Sequence, residues 1–323
     1  MRKIIFFIVT LLFTLKGLAQ QGVSIDPSLS ESPISVKTLS GVIAGSLVIP
    51  KNAQGKVPLV LIIGDAGPTD RDGNNAKAGI AGNTYKLLAN DLGVKGIATL
   101  RYDKRLVGAS ESRTKESQLH FEDYGDDAVS LINSLVDDQR FSKIVLFGHG
   151  EGSLVAMLAS VDQPVKGIIV TEGVADRGET ILFDEMKPRS KLLNEEFKRI
   201  MDSLKKGKTT DNIDPSLYFI IRPSVQPFLM TWCRYDPVRG IKSLKNPILI
   251  IQGTTDLQVP VSNGERLKKA KSEAALLMIK DMNHILKEAP ADPDQNRATY
   301  DKPDLPLKPE LIAGMVTFIN KLK

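Results

Sequence analysis

Residues 143–160, KIVLFGHGEGSLVAMLAS, decide the fold. Lys143 to Phe147 is short and largely apolar, as a buried strand is. Gly148-His149-Gly150-Glu151-Gly152 is a sharp turn, and the Ala-, Leu-, Val- and Met-rich run from Ser153 is a buried helix. Strand, glycine-rich turn and helix in that order make the elbow that presents a nucleophile at its tip, in the pattern G-x-S-x-G. The middle residue of such a turn is forced into a strained backbone conformation, and side chains beside it would strike the adjoining strand and helix. Gly148 and Gly152 meet that demand. The tip itself is Gly150, which has no side-chain oxygen, so the mount is present without its nucleophile.

Outward from the elbow the chain alternates strands and helices. Ile34–Thr38 and Ala44–Pro50 alternate apolar and polar residues around Gly41 and predict an antiparallel hairpin at a sheet edge. Pro58–Ile63 and Val165–Val170 are continuous apolar runs, suited to strands buried on both faces, as is Pro247–Ile251. Gly96–Arg101 and Ala274–Ile279 complete the strands. Thr84–Leu92, Phe121–Val136, Gly264–Ala270 and Leu311–Leu322 carry helical spacing. This alternation predicts a mostly parallel sheet with helices on both faces. Between Gly173 and Lys242 the rhythm changes. Glu179–Lys206 is charged and helical and ends at Gly207, and Gly207–Leu244 scatters Pro215, Pro223, Pro227 and Pro237 among aromatics. We read residues 173–242 as a helical cap inserted over the carboxyl edge of the sheet; a pair of surface helices is the alternative. Residues 21–172 and 243–323 then form the two parts of the core.

Composition narrows the function classes. An apolar content of 42% with 25% charged residues is that of a globular chain with a core large enough to stand without cross-links. The single cysteine, Cys233, excludes an intrachain disulfide. Residues 1–20 have a basic start (Arg2, Lys3), an apolar run too short to span a membrane comfortably, and small residues before Gln20, which predicts a signal peptide and export to the periplasm or medium. Without Arg2, Lys3 and Lys16, 40 basic residues face 38 acidic ones, a balance of +2. That gives no reason to expect nucleic acid or a membrane partner beyond the signal peptide.

In a sheet of this kind ligands bind beyond the carboxyl ends of the strands, and three loops stand there. Gly253-Thr254-Thr255-Asp256 places an acid where it can orient an imidazole. Asp281-Met282-Asn283-His284 supplies that imidazole. His120 lacks an acidic loop to orient it, and His149 inside the elbow is suited to a structural role. The third loop, Gly64 to Asn74 (GDAGPTDRDGN), has small residues whose backbone N–H groups can face a developing oxyanion. Ala66 and Glu151 are the candidate donors. Asp70, Arg71 and Asp72 are expected to brace this loop by ion pairing. Its acidic spacing does not match a calcium-binding helix–loop–helix, and no metal or cofactor is expected.

Taken together, GPTDRDGN (Gly67–Asn74), RYDKR (Arg101–Arg105), G-H-x-E-G (Gly148–Gly152), PSVQP (Pro223–Pro227), Q-G-x-x-D-x-x-V (Gln252–Val259) and Asn283-His284 resemble the α/β-hydrolase superfamily. They are most similar to secreted bacterial esterase-like members often labelled serine aminopeptidase, S33. The resemblance implies an α/β-hydrolase fold and cofactor-free hydrolysis of a small-molecule carboxylic ester. It also implies Asp256 as the acid, His284 as the base, Gly150 at the nucleophile position, and an oxyanion hole at Ala66 and Glu151. Relatives often carry glycine where this chain has Leu106, and Gly-Ser-Gly-Pro where it has Asp65-Ala66-Gly67-Pro68. Glycine at 150 forbids an acyl-enzyme there, and Ser153, a helical turn further on, should face away. The expectation is an impaired esterase-type protein, with a natural ester- or peptide-binding member, an aminopeptidase-like hydrolase and water-mediated hydrolysis as alternatives. Phe219, Phe228, Leu229 and Trp232 are the candidate pocket residues of the cap; nothing in the sequence sets the oligomeric state.

Overall fold

A computed structural model describes residues 23–323; the expected signal peptide lies outside them. The chain opens with an antiparallel ribbon, β1 (Leu29–Thr38) and β2 (Gly41–Pro50), each strand starting earlier than the alternation predicts and ending where it predicts. There follow β3 (Val57–Ile63), α1 (Thr84–Gly93), β4 (Ala98–Tyr102), the two-residue β5 (Glu111–Ser112), α2 (Glu122–Leu135), β6 (Phe141–His149), α3 (Glu151–Ala159) and β7 (Val165–Thr171). Five helices come next: α4 (Gly178–Met186), α5 (Lys191–Leu204), α6 (Tyr218–Ile221), α7 (Gln226–Trp232) and α8 (Pro237–Ser243). The chain ends with β8 (Ile248–Gly253), α9 (Ser262–Ala270), β9 (Ala275–Ile279), α10 (Pro293–Arg297) and α11 (Pro309–Lys321).

The main strands lie in the order β1-β2-β4-β3-β6-β7-β8-β9, with β5 against β2. From β4 to β9 every neighbouring pair is parallel, and β2 meets β4 antiparallel. Alternate side chains along each parallel strand enter opposite faces, as the two-residue repeat of a strand requires. Leu59, Leu61, Ile144, Leu146, Ile168 and Val170 pack under α2 and α3, while Val60, Ile62, Val145, Phe147 and Ile169 pack against α1 and α11. Burial on both sides explains why these strands are apolar throughout. After β3 the chain turns to one side and after β6 to the other, which opens a crevice between their carboxyl ends.

Two boundaries differ from the sequence reading. The elbow strand runs on to His149, so the sharp turn is confined to Gly150. The charged helical stretch is two helices, because Pro188 sits between α4 and α5 and Ser190 starts the second by accepting a hydrogen bond from the Leu193 N–H. Helices α4 to α7 bury a hydrophobic cluster of their own around Phe197, Ile200, Leu217 and Ile221. Helix α8 returns to the sheet, where Ile241 joins the core under α3. No helix of the described residues is long and apolar enough to cross a membrane.

Candidate active site

The carboxyl ends of five adjacent strands carry the chemistry. Gly150 follows β6 directly, in a left-handed conformation with φ 52° and ψ −119° that glycine alone adopts without strain. Asp65 lies just beyond β3, Glu172 directly after β7, Asp256 beyond β8 and His284 beyond β9. The register brings Ile63 beside Gly148 and His149 beside Thr171, so these loops emerge at one level.

His284 stands between two carboxylates. Its Nδ1 is 2.8 Å from Asp256 Oδ2, and its Nε2 is 2.8 Å from Asp65 Oδ2. Asp256 is oriented by its own turn, its Oδ1 accepting from the backbone N–H groups of Gln258 (2.7 Å) and Val259 (2.9 Å). Asp65 Oδ1 accepts from the N–H of Glu151 at 3.0 Å, and the Ala66 N–H also bonds this carboxylate. Both candidate oxyanion donors therefore face a carboxylate of the protein itself. A Cβ added to Gly150 would land inside that carboxylate, nearer to Oδ1 than two unbonded atoms can stand. Asp65 fills the space that the side chain of a nucleophilic elbow residue would enter.

Charge follows from this geometry. Burial disfavours an imidazolium, but Asp256 and Asp65 outweigh it and raise His284 well above its ordinary value of 6.5. Burial likewise opposes ionisation of Asp65, and the His284 charge, its hydrogen bond and the Ala66 N–H overcome this and hold the carboxyl below the ordinary range. Asp256 is lowered too, against its burial, by His284. The resting centre is carboxylate, imidazolium, carboxylate. Glu172 behaves oppositely: burial first, and then the neighbouring Asp256, push it well above 4.5, so it is protonated and hydrogen-bonds Asp256 as a neutral acid. Its other contacts are the Gly253 N–H at 2.7 Å and the Gln252 amide.

The surrounding residues fix this centre in place. The Asp65 N–H donates to the Tyr85 hydroxyl at 2.9 Å, which leaves that hydroxyl to donate to His149 Nδ1 at 2.9 Å. His149 Nε2–H then donates to the His284 carbonyl at 2.7 Å. His149 is thus a neutral strut, lowered to about 4 by burial and by the His284 charge. Lys104 ties the Asp65 carbonyl (2.9 Å) to the Glu151 carboxylate (3.0 Å). Asn283 anchors the histidine loop through Thr299 (2.8 Å) and the Lys287 N–H (3.1 Å). In the GPTDRDGN loop, Arg71 pairs with Asp103 and Asp72 with the buried Arg101, while Asp70 accepts from the N–H groups of Asp72 and Asn74. Ser153 is buried and donates to the Gly148 carbonyl at 2.9 Å, away from the centre. Asp65, Glu172 and Tyr85 were not among the candidates from sequence. The signal for Asp65 was an acid among the small residues Gly64, Ala66 and Gly67, opposite a glycine where a side chain is expected.

The model for serine aminopeptidase, S33, matches residues 79–219, which contain the elbow but neither Asp256 nor His284. A comparison with curated proteins finds no match. Among solved structures, Est1E from Butyrivibrio proteoclasticus with ferulic acid bound superposes with a TM-score of 0.60 at 17% identity, covering 89% of this chain and 100% of that one. An esterase from Pyrococcus furiosus gives 0.58 at 15% identity, covering 91% and 92%. The esterase domain of a Rhodothermus marinus protein gives 0.53 at 16%, covering 90% and 99%. The chain has the α/β-hydrolase fold.

Two cavities meet at Gly67. One, of about 490 Å³, is lined by Asp65, Ala66, His284, Ile285, Leu257 and Tyr300 among others. The second, of about 460 Å³, lies between α7 and the core, with Leu119, Tyr124, Phe219, Phe228 and Leu229 beside Glu151. Trp232 lies outside both, stacked on Phe228 at 6.4 Å and covering Gly178.

Proposed function

We propose that this chain is a carboxylic-ester-hydrolase-type protein in which the serine route is closed and Asp65 stands at the centre in place of a serine. The observation that supports it is the overlap between Asp65 Oδ1 and any Cβ at position 150. Ester-sized space remains on both sides of Gly67, and the cap-facing cavity, with its aromatic lining, would take the acyl chain. Acyl transfer through Asp65 is unproductive. A carboxylate is a far better leaving group than an alkoxide, so a tetrahedral adduct would expel Asp65 again. An imidazolium at His284 is also no general base. Export, read from residues 1–20, belongs to the same proposal, and N-terminal sequencing of the protein recovered from a producing cell tests it.

The decisive experiment compares the chain with Gly150→Ser, Asp65→Gly and the double variant on short p-nitrophenyl esters and a fluorophosphonate. Gly150→Ser alone should neither turn over nor label, because its side chain strikes Asp65. The double variant should do both, and adding His284→Ala should abolish turnover by about a thousandfold or more. Turnover by Gly150→Ser alone, or a folded double variant that stays silent in both assays, would sink this reading.

A further inference from the structure

We propose that the cavity beneath the cap is a binding site for an amphiphilic carboxylate, whose acid head pairs with Arg222 and Lys77 at the rim and whose apolar chain runs inward toward Gly67. The inference rests on the rim of that cavity and on no step at Asp65, so it stands apart from ester cleavage.

The cavity, of about 460 Å³, lies in the size range of small-molecule sites, and its wall is apolar and aromatic, with Leu119, Tyr124, Phe228 and Leu229. Its mouth is apolar as well. Leu106 and Phe219 both line it, yet they are 47% and 54% exposed, and large apolar side chains left in water around a cavity mark where an apolar ligand enters. Five charged side chains also line it, and two of them are committed elsewhere. Arg105 pairs with Asp127 at 2.6 and 2.8 Å, and Glu151 with Lys104 at 3.0 Å. That leaves Arg222 and Lys77 against Glu116, two cations against one anion. Lys77 is exposed, has no ion pair of its own among the described residues, and acts on Glu116 only by its charge.

The protein itself shows which head group fits. The Glu116 carboxylate meets the fork of the Arg222 guanidinium, Oε1 at 2.5 Å from Nη2 and Oε2 at 3.4 Å from Nε, and Oε2 also accepts from the Ser224 hydroxyl at 2.6 Å. Two oxygens of one planar group are matched to a planar donor, which is how a guanidinium recognises a carboxylate. Arg222, Ser224 and Lys77 hold Glu116 below the usual carboxylate range. The Glu116–Arg222 pair nevertheless stands partly in water, so exchanging Glu116 for another carboxylate costs little. Glu116 is a tethered competitor for the head-group site. When it swings into solvent, an incoming acid takes the fork, the hydroxyl and the lysine together. An alcohol of the same chain length gains the apolar wall without the fork, and an ammonium head faces two cations. From the rim the chain passes Tyr124 and Phe228, so the far end of the ligand, and not its acid, reaches Glu151 and Gly67 at the border of the Asp65 cavity.

Isothermal titration of the unmodified chain with octanoate, octanol and octylamine tests this, because the three share one chain and differ in the head. Octanoate should bind about tenfold more tightly than octanol, and octylamine more weakly than either. Arg222→Gln and Lys77→Gln should each erase most of the advantage of the acid and leave octanol unchanged. Glu116→Gln is the sharpest arm: with the tethered competitor gone, octanoate should tighten by about threefold or more while octanol stays as it was. Equal affinities for octanoate and octanol, no binding of any of the three, or an unchanged ratio in Glu116→Gln would each overturn the proposal. So would an acid preference that survives Arg222→Gln and disappears in His284→Gln, which puts the head at the centre. None of these outcomes involves ester turnover, so this proposal and the ester-cleaving variants fail separately.

Discussion

His284 between Asp65 and Asp256 makes the stability of this protein depend on pH in a defined direction. The folded imidazole binds its proton more tightly than an unfolded one, whose ordinary value is 6.5. That contribution is therefore whole below 6.5 and is lost as pH rises through the raised folded value. Asp65 is lowered from 3.8, so its contribution is present above 3.8 and is lost as pH falls toward the folded value. Thermal melts should show a plateau between these limits. Asp65→Asn should move the alkaline limb to lower pH and cost about 1–3 kcal/mol on the plateau, since a charge-assisted hydrogen bond is removed. An alkaline limb that stays where it was would show that Asp65 does not hold the His284 proton. Glu172→Gln should be mild by comparison, because Glu172 already stands there as a neutral group. Of these residues, Asp256 and His284 were legible in the sequence, because each follows an apolar strand and they fall in the order elbow, acid, histidine. Asp65 was not: it is one of three aspartates in its loop, and nothing in one dimension says that its side chain, and not Asp70 or Asp72, crosses to the elbow. Glu172 was hidden by the same logic, the acid's place having been filled by Asp256.

At the scale of elements, the elbow depends on two glycines whose neighbours are backbone. A Cβ on Gly152 would meet the carbonyl oxygens of Ile63 and Gly64, and one on Gly148 would meet the Gly152 carbonyl and Ser153. Neither neighbour can yield without moving β3 or α3. Gly152→Ala should cost about 3 kcal/mol or more, read as loss of soluble protein or a fall in melting temperature. Gly207→Ala is the control: its φ of 74° is left-handed, but nothing lies near its Cβ, so the cost should stay near about 1 kcal/mol. The elements themselves were readable from periodicity because the parallel strands are apolar on both faces and the helices are not. What periodicity misses is where a strand yields to a turn. His149 lies in β6 because its ring is a strut between Tyr85 and His284, a role invisible to hydropathy.

Across the whole molecule, the helices between β7 and β8 meet the core through few polar ties. Glu116 receives Arg222 at 2.5 Å and Ser224 at 2.6 Å, the Phe121 N–H donates to Thr231 at 2.8 Å, and Tyr235 donates to Glu122 at 2.8 Å. The Glu116–Arg222 pair is partly exposed, with side chains 44% and 37% accessible, so its contribution to global stability is small. Glu116→Gln should shift the global melt by less than about 1 kcal/mol. It should nevertheless speed amide exchange across residues 215–232, since a subunit of the fold can open without the rest. Unchanged exchange there would mean that the apolar contacts of Phe228 with Phe121 and Tyr124 hold the segment alone.

Asp65 and Gly150 also set a direction for change in this protein. A side chain at 150 and the Asp65 carboxylate as it stands compete for one space, so serine there displaces the carboxylate from His284 and the Glu151 N–H, whereas glycine admits it. Aspartate at 65 is therefore accommodated most easily once position 150 has lost its side chain. Once the aspartate is in place it acts as a ratchet, because a returning serine must break those hydrogen bonds. In a double-mutant cycle the two substitutions should therefore be strongly non-additive, with Gly150→Ser harmful beside Asp65 and tolerated beside glycine.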